Sequence, residues 1–166
     1  MIISGSKYFI TQLKLAVWVI FPLVFAGSIY VFFRSHNTVV NVLLANFIDI
    51  PVLQSKNYWL VYCLPGGLWL FSFQMAILFF VHQYKNITWF VSLVCALGIE
   101  GFQFLHITDG FFDWLDVYTY LIFSVLTYLI FSLKRHLYPI FSQSNYSFKY
   151  FIFAFFCGIV FLSDLF

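Results

Sequence analysis

The side chains that could carry out chemistry lie close together in one stretch, GIEGFQFLHITDGFFDWLDVYTY, from residue 98 to residue 120. Side chains three or four residues apart share one face of a helix. Glu100 lies within an apolar run, where a carboxylate is costly unless it is paired. We therefore predict one polar pocket that holds a head group, a cation or a partner's side chain. Its predicted members are Glu100, Gln103, His106, Asp109, Asp113, Asp116 and Tyr120.

Two of these acids also have a purely structural interpretation, in which they belong to no pocket. Asp109 and Asp113 also suit a solvated loop and a helix start, because aspartate caps helix N-termini and interacts favourably with the helix dipole. Glu100, Gln103 and Asp116 favour a specific role. Carboxylates act as general acid and base where burial separates their pKa values, but the spacing alone assigns no catalytic role to any of them.

The sequence predicts no metal site and no cofactor. His106 is one histidine among scattered aspartates, which is not typical of a metal centre. Three cysteines, Cys63, Cys95 and Cys157, form no CxxC pair, and each lies in or beside an apolar run. They are interpreted as small apolar side chains.

The composition indicates which kind of element positions these residues. Of 166 residues, 63% are apolar and 8% are charged, against about 25% charged in soluble domains. The mean hydropathy is +0.96. A soluble fold of this size cannot bury so much apolar surface, so the chain is predicted to lie in a bilayer. A soluble enzyme, a disordered tail and a disulfide-rich secreted module are excluded, and a net charge of +2 excludes a nucleic-acid binder.

The apolar runs predict an all-α fold, a polytopic transmembrane helical bundle in which residues 1–166 form a single domain. We expect about five spans, since each needs about 20 apolar residues. They cover residues 13–33, 65–82, 87–105, 114–133 and 150–166. A short interfacial helix is expected near residues 39–48, between the first two spans, because apolar side chains recur there at helical spacing.

Prolines and small residues predict local features of these spans. Pro22 is expected to kink the first span, and Pro65 is expected to open the second span in its first turn. Gly98 and Gly101, beside Ala96, predict close helix packing around the third span.

The charge distribution predicts the orientation in the membrane. With a cytoplasmic N-terminus, six of the eight Lys and Arg residues fall on the cytoplasmic side. All six acidic residues then fall at or near the outer side. We therefore predict a cytoplasmic N-terminus, an outer C-terminus and a pocket at the outer face.

The acidic stretch resembles the signature of the VanZ-like membrane family, E-x2-Q, a short loop, then G-x-F-D-x2-D. Six residues match it, namely Glu100, Gln103, Gly110, Phe112, Asp113 and Asp116. The LPGGLW stretch at residues 64–69 resembles the Pro-initiated span of such proteins. Two positions depart from the pattern, because Tyr120 stands where Asn is often found and Gly66 where Asp is common. The resemblance implies a multi-pass protein of the bacterial cytoplasmic (inner) membrane, in the cell envelope, and assigns no reaction.

Three classes of function remain open at this stage. The first is a non-catalytic accessory subunit that docks through its helices to other membrane protein subunits of a larger complex. The second is a lipid- or envelope-precursor-binding protein, catalytic or not, that uses the outer acidic pocket. The third is a transporter or channel, which the lack of internal repeats argues against. We rank them in that order, so membrane lipids and other membrane subunits are the expected partners and enzymatic activity is not favoured.

Overall fold

The computed structural model describes residues 13, 16–33, 53, 55–80, 85–107, 111–133, 150–151 and 154–159. These residues are almost all helical and contain no strand, so the predicted all-α bundle is confirmed. A first π-helical segment, Ala16–Ile20, leads into α1, Phe21–Phe33, and a second, Trp59–Cys63, leads into α2, Leu64–Phe80. Helix α3 is Lys85–Phe104 and α4 is Trp114–Leu133. Residues 154–159 are also helical.

Both π-helical segments end immediately before a helix whose second residue is proline. Pro22 is the second residue of α1, and Pro65 is the second residue of α2. Proline has no backbone N–H, and its ring clashes with the carbonyl four residues earlier in a regular helix. A π-helical turn widens the backbone at that point. The two prolines are therefore accommodated by the same local change of helical pitch.

Helix α2 is the central helix of the bundle. It contacts α1, α3 and α4 and both π-helical segments. Within the apolar stretch Trp59–Phe80, 78% of residues in the most apolar window are buried, against 22% in the corresponding windows of α3 and α4. The core is built largely from α2 side chains, with Phe156 stacked on Phe73 at 5.0 Å between ring centres. Helices α3 and α4 leave long apolar faces exposed, as expected of lipid-facing helices.

Helix α3 runs antiparallel to α4, and α2 runs parallel to α4. Trp89, near the start of α3, lies 5.9 Å from Tyr128 near the end of α4, while Phe104, at the end of α3, lies 5.3 Å from Phe112 just before α4. Contacts between α2 and α4 advance together along both helices, from Gly66 with Tyr120 to Gln74 with Ser124. The end of α3 and the starts of α2 and α4 therefore lie at the same end of the bundle.

Three helical stretches are long and apolar enough to cross a membrane: Trp59–Phe80, Asn86–Phe104 and Trp114–Leu133. The apolar helix Val17–Phe33 is shorter. The second span was predicted to begin at Pro65, which is wrong for the helix, because the continuous helical stretch already begins at Trp59 with the second π-helical segment. The predicted interfacial helix at residues 39–48 and most of the predicted fifth span lie outside the described residues.

Close helix packing occurs at different glycines from those predicted. A Cβ atom on Gly98 or Gly101 of α3 would have no neighbouring atom within 4 Å. On Gly67 of α2 it would lie 2.5 Å from Cδ2 of Phe123 and 2.6 Å from Cγ2 of Thr119. Gly67 therefore allows α4 to approach α2, and the prediction that Gly98 and Gly101 do this around α3 is wrong for the described residues.

Candidate functional site

Three side chains that could bind a cation converge where α2 and α4 begin. The Cys63 sulfur and one carboxylate oxygen each of Asp113 and Asp116 lie within 4.8 Å of one another. Cys63 has 0% of its surface exposed, and both aspartates are half-buried. The Cys63 thiol forms a side-chain hydrogen bond with Asp116. We call these three residues the Cys–Asp cluster.

Asp113 is held by its position at the N-terminus of α4. Its Oδ1 accepts a hydrogen bond from the backbone N–H of Leu115 at 2.8 Å, and its backbone carbonyl accepts from Asp116 at 3.1 Å. These are the bonds of a helix N-cap. The alternative interpretation of Asp113 as a helix start is therefore correct, and the same residue also belongs to the Cys–Asp cluster.

Tyr58 approaches the cluster from the start of the second π-helical segment. The Tyr58 hydroxyl makes a side-chain hydrogen bond with Asp113, and its ring stacks on Tyr62 at 4.7 Å between centres. Desolvation by partial burial, then the hydrogen bond to Asp113 and the nearby acids, raise the pKa of Tyr58 to about 12. Tyr58 therefore stays protonated and able to donate at physiological pH.

A second contact fixes the two helix starts relative to each other. The indole N–H of Trp59 donates to Oγ1 of Thr119 at 2.9 Å, and the Thr119 hydroxyl donates to the Leu115 carbonyl at 2.7 Å. Asn57 caps the start of the second π-helical segment, because its Oδ1 accepts a hydrogen bond from the Leu60 N–H at 3.2 Å. The Trp59–Thr119 and Tyr58–Asp113 hydrogen bonds thus hold together the two segments that carry Cys63 and Asp116.

Glu100 brings a third carboxylate to this end of the bundle. It lies on α3, one turn before the helix ends, and only 4% of its surface is exposed. Glu100 is close enough to Cys63 to act on it electrostatically. The second π-helical segment, α3 and α4 therefore each contribute at least one polar or acidic side chain to this end of the bundle.

Tyr120 lies on α4, one turn after Asp116, and packs against α2. Its hydroxyl oxygen is 3.0 Å from the point where a Cβ atom on Gly66 would lie. Tyr120 is buried, with 9% of its surface exposed. The tyrosine side chain therefore occupies the space that a side chain at position 66 would need.

The other predicted pocket members are placed differently. His106 is exposed and has φ of 56°, and its N–H donates to the Gln103 carbonyl at 3.0 Å, while Ile107 donates to the Phe102 carbonyl at 2.9 Å. This is the Schellman arrangement that ends a helix. Gln103 is half-buried, and Asp109 lies outside the described residues. His106 thus ends α3, and no described contact joins it to the Cys–Asp cluster.

Comparison of the chain with protein-family models, with curated proteins and with solved structures gives no match. The resemblance to the VanZ-like family therefore stays a prediction from the sequence.

Cys63 and Tyr58 are the members of the site that the sequence pattern did not indicate. They lie five residues apart, which puts them on different faces of a regular helix. In the π-helical segment, however, hydrogen bonds join residues five apart, as between the Leu64 N–H and the Trp59 carbonyl. The sequence did contain one indication of this geometry. Cys63 lies two residues before Pro65, and a proline inside a helical stretch indicates a local change of pitch in the residues before it.

Proposed function

We propose that this protein is a multi-pass membrane protein that binds the head group of a lipid or envelope precursor at the Cys–Asp cluster. The observation that carries the proposal is the convergence of Asp113 and Asp116 on the fully buried Cys63, at the end of the bundle where the buried Glu100 also lies. Acidic groups in a region of low dielectric require positive charge or protons nearby. The ammonium group of a lipid head group, or a cation bound beside its phosphate, interacts favourably with carboxylates at this position.

The location of the cluster suits an interfacial ligand. It lies at the ends of helices long enough to cross a bilayer, where head groups are found. Exposed aromatic side chains surround this end, including Tyr58, Trp59 and Trp114. Aromatic residues of this kind are enriched at the membrane–water interface. A head group at this depth therefore reaches the carboxylates without crossing the apolar core.

The two departures from the VanZ-like pattern support the same proposal. Gly66 and Tyr120 are the positions where Asp and Asn are common in that pattern, and they lie against each other, with the tyrosine hydroxyl in the space beside the glycine. In this chain the Tyr120 hydroxyl fills the space that an Asp side chain at position 66 would need. This pairing is expected if the chain keeps the pocket of such proteins with a different lining.

The accessory-subunit function predicted from the sequence stays a prediction. The exposed apolar faces of α3 and α4 suit lipid as well as a protein partner, so no contact favours docking. Purification in mild detergent separates the two functions, because a stoichiometric partner protein supports a subunit and a monomer with retained lipid supports head-group binding.

The test is lipid retention measured by native mass spectrometry. The protein is exchanged into nanodiscs with equal phosphatidylethanolamine and phosphatidylglycerol, released in mild detergent, and compared with Glu100→Gln and Asp116→Asn. Because hydrogen bonds to charged groups contribute about 1.5–3 kcal/mol, we expect each variant to retain roughly tenfold less lipid. Asp164→Asn, the same change near the C-terminus, is the control and should retain lipid normally. Equal retention by all four proteins would show that the cluster does not bind head groups.

A further inference from the structure

We propose that a cavity at the opposite end of the bundle from the Cys–Asp cluster binds one acyl chain of a membrane lipid, and that the indole of Trp89 donates a hydrogen bond to the ester carbonyl of that chain. The two sites are separate, because Trp89 is near the start of α3 and its neighbour Tyr128 is near the end of α4. The acyl-chain site does not depend on the head-group function.

The cavity lies where the end of α2, the start of α3 and the end of α4 meet. Its volume is about 260 Å³, and it is lined by Leu78, Asn86, Trp89, Phe90, Tyr128 and Phe131. Phe90 and Tyr128 are exposed, so the cavity borders the apolar surface that α3 and α4 leave uncovered. In helices that cross a bilayer, an acyl chain reaches such a cavity from the side.

The lining and the size of the cavity select the kind of occupant. Five of the six lining side chains are apolar or aromatic, and Asn86 is the exception. Apolar cavities exclude water, and one of about 150 Å³ is already large enough to bind benzene. The volume is below the roughly 300–1,000 Å³ of pockets for whole small molecules. It also cannot admit a helix, which is about 10–12 Å wide with its side chains. A single acyl chain meets all of these conditions.

Trp89 provides an independent observation that points to the ligand. Within the described residues, its buried indole nitrogen has no hydrogen-bond partner. A buried N–H without an acceptor is costly, so the group is expected to gain one when the site is occupied. The indole nitrogen is enclosed by protein atoms, and a turn about the broad torsion that carries the ring brings it to the cavity. An ester carbonyl offers an acceptor and no donor, which is what this N–H requires.

The position of Trp89 along its helix suits an ester group. The Trp89 ring lies 5.9 Å from the Tyr128 ring, at the end of two helices long enough to cross a bilayer. Tryptophan and tyrosine are enriched at the membrane–water interface, where an apolar ring meets polar groups. The exposed Asn86 lies in the first turn of α3, on the polar side of this boundary. A lipid bound here therefore has its chain in the cavity and its ester beside Trp89.

The first test compares two phosphatidylcholines with chains of equal length, one joined by ester bonds and one by ether bonds. The full chain is delipidated in mild detergent, each lipid is titrated, and the bound fraction is measured by native mass spectrometry. Only the diester has a carbonyl, so the wild type should bind it about fivefold more tightly, the usual effect of one hydrogen bond. Trp89→Phe should lose this preference. Equal affinities in the wild type, or the same preference in Trp89→Phe, would overturn the proposal.

The second test fills the cavity. Leu78→Trp enlarges a buried side chain of the cavity wall and should weaken binding of both lipids by at least about tenfold. Leu126→Trp is the matched control, because Leu126 is exposed on α4 and does not line the cavity, and it should bind both lipids normally. Unchanged affinity in Leu78→Trp, or a delipidated wild type that takes up no lipid, would overturn the site. If Leu78→Trp fails to fold, the ester and ether comparison in Trp89→Phe decides.

The acyl-chain site and the head-group function can fail separately. If both exist, the wild type retains two lipids, and variants at either end remove one. The ester preference should persist in Asp116→Asn. Its loss there, with binding unchanged in Leu78→Trp, would overturn the acyl-chain site alone. Lipid binding that depends on Leu78 and Trp89, with retention unchanged in Asp116→Asn, would overturn the head-group function alone.

Discussion

The side-chain amide of Gln74 donates a hydrogen bond to the hydroxyl of Ser124 at 2.7 Å, in the buried contact between α2 and α4. Both residues are almost completely buried, and within the described residues the Gln74 Oε1 atom has no hydrogen-bond partner. Ser124→Ala would leave the amide without this acceptor. We expect it to lower the free energy of unfolding by about 1 kcal/mol, measured by reversible unfolding in mixed micelles.

A double-mutant cycle isolates this bond. In the Gln74→Leu background, Ser124→Ala should cost close to nothing, because no amide remains to be satisfied. Ser28→Ala is the control, since the Ser28 hydroxyl donates within its own helix, to the Val24 carbonyl at 2.8 Å, and its effect should be the same in both backgrounds. An equal loss of unfolding free energy from Ser124→Ala in both backgrounds would show that the Gln74–Ser124 hydrogen bond does not stabilise the protein.

Gly67→Ala should destabilise the bundle where α2 and α4 meet. The added Cβ would lie 2.5 Å from Phe123 and 2.6 Å from Thr119, so these side chains must move. Overpacking of this kind costs about 1–3 kcal/mol. Thermal unfolding in detergent should show a lower midpoint, whereas Gly98→Ala, which meets no atom within 4 Å, should be neutral or stabilising. Equal midpoints for the two variants would refute the close contact.

His106→Gly should stabilise the end of α3. His106 has φ of 56°, a left-handed conformation that costs an L-residue roughly 1–2 kcal/mol and glycine little. Allowing for the greater backbone freedom of glycine in the unfolded chain, we expect a gain of about 0.5–1 kcal/mol in unfolding free energy. Leu105→Gly, one residue earlier, is the control and should destabilise the helix. A loss of stability in His106→Gly would instead show that the imidazole makes a necessary contact.

Tyr58 should make stability depend on pH in the alkaline range. Its pKa is raised from 10.0 to about 12 in the folded protein, so the folded state favours the protonated phenol. The stabilising contribution is complete below pH 10 and is lost as the pH rises through about 12. Ring carbon NMR, with Tyr58→Phe to assign the signal, measures this titration.

Asp113→Asn tests the cause of that shift. Removing the negative charge and weakening the hydrogen-bond acceptor should move the pKa of Tyr58 back towards 10.0, although burial will keep it above that value. A Tyr58 titration that is unchanged in Asp113→Asn would mean that the hydrogen bond to Asp113 does not form.

The sequence by itself determined the class of fold and the positions of most helices. Helix α4 was predicted at residues 114–133 and has those bounds, and α3 was predicted at 87–105 and lies at Lys85–Phe104. These features depend on local causes. Apolar length sets the span, Asp113 caps α4, and the basic residues after Leu133 follow its end.

The same local information indicated Glu100 as a residue that needs an explanation, since a carboxylate within an apolar helix stands out without knowledge of its neighbours. The sequence also indicated Asp113 and Asp116 from their spacing. Whether these acids bind a ligand stays a prediction.

Only the tertiary structure decided which side chains meet the acids. Cys63 and Tyr58 join them because a π-helical segment before Pro65 changes the direction of side chains five residues apart, which a regular helical period cannot predict. The close approach at Gly67 and the pairing of Gly66 with Tyr120 depend on how two helices far apart in the chain fit together. Such contacts are set by the shapes of both surfaces at once, and the sequence of either helix alone carries only half of that information.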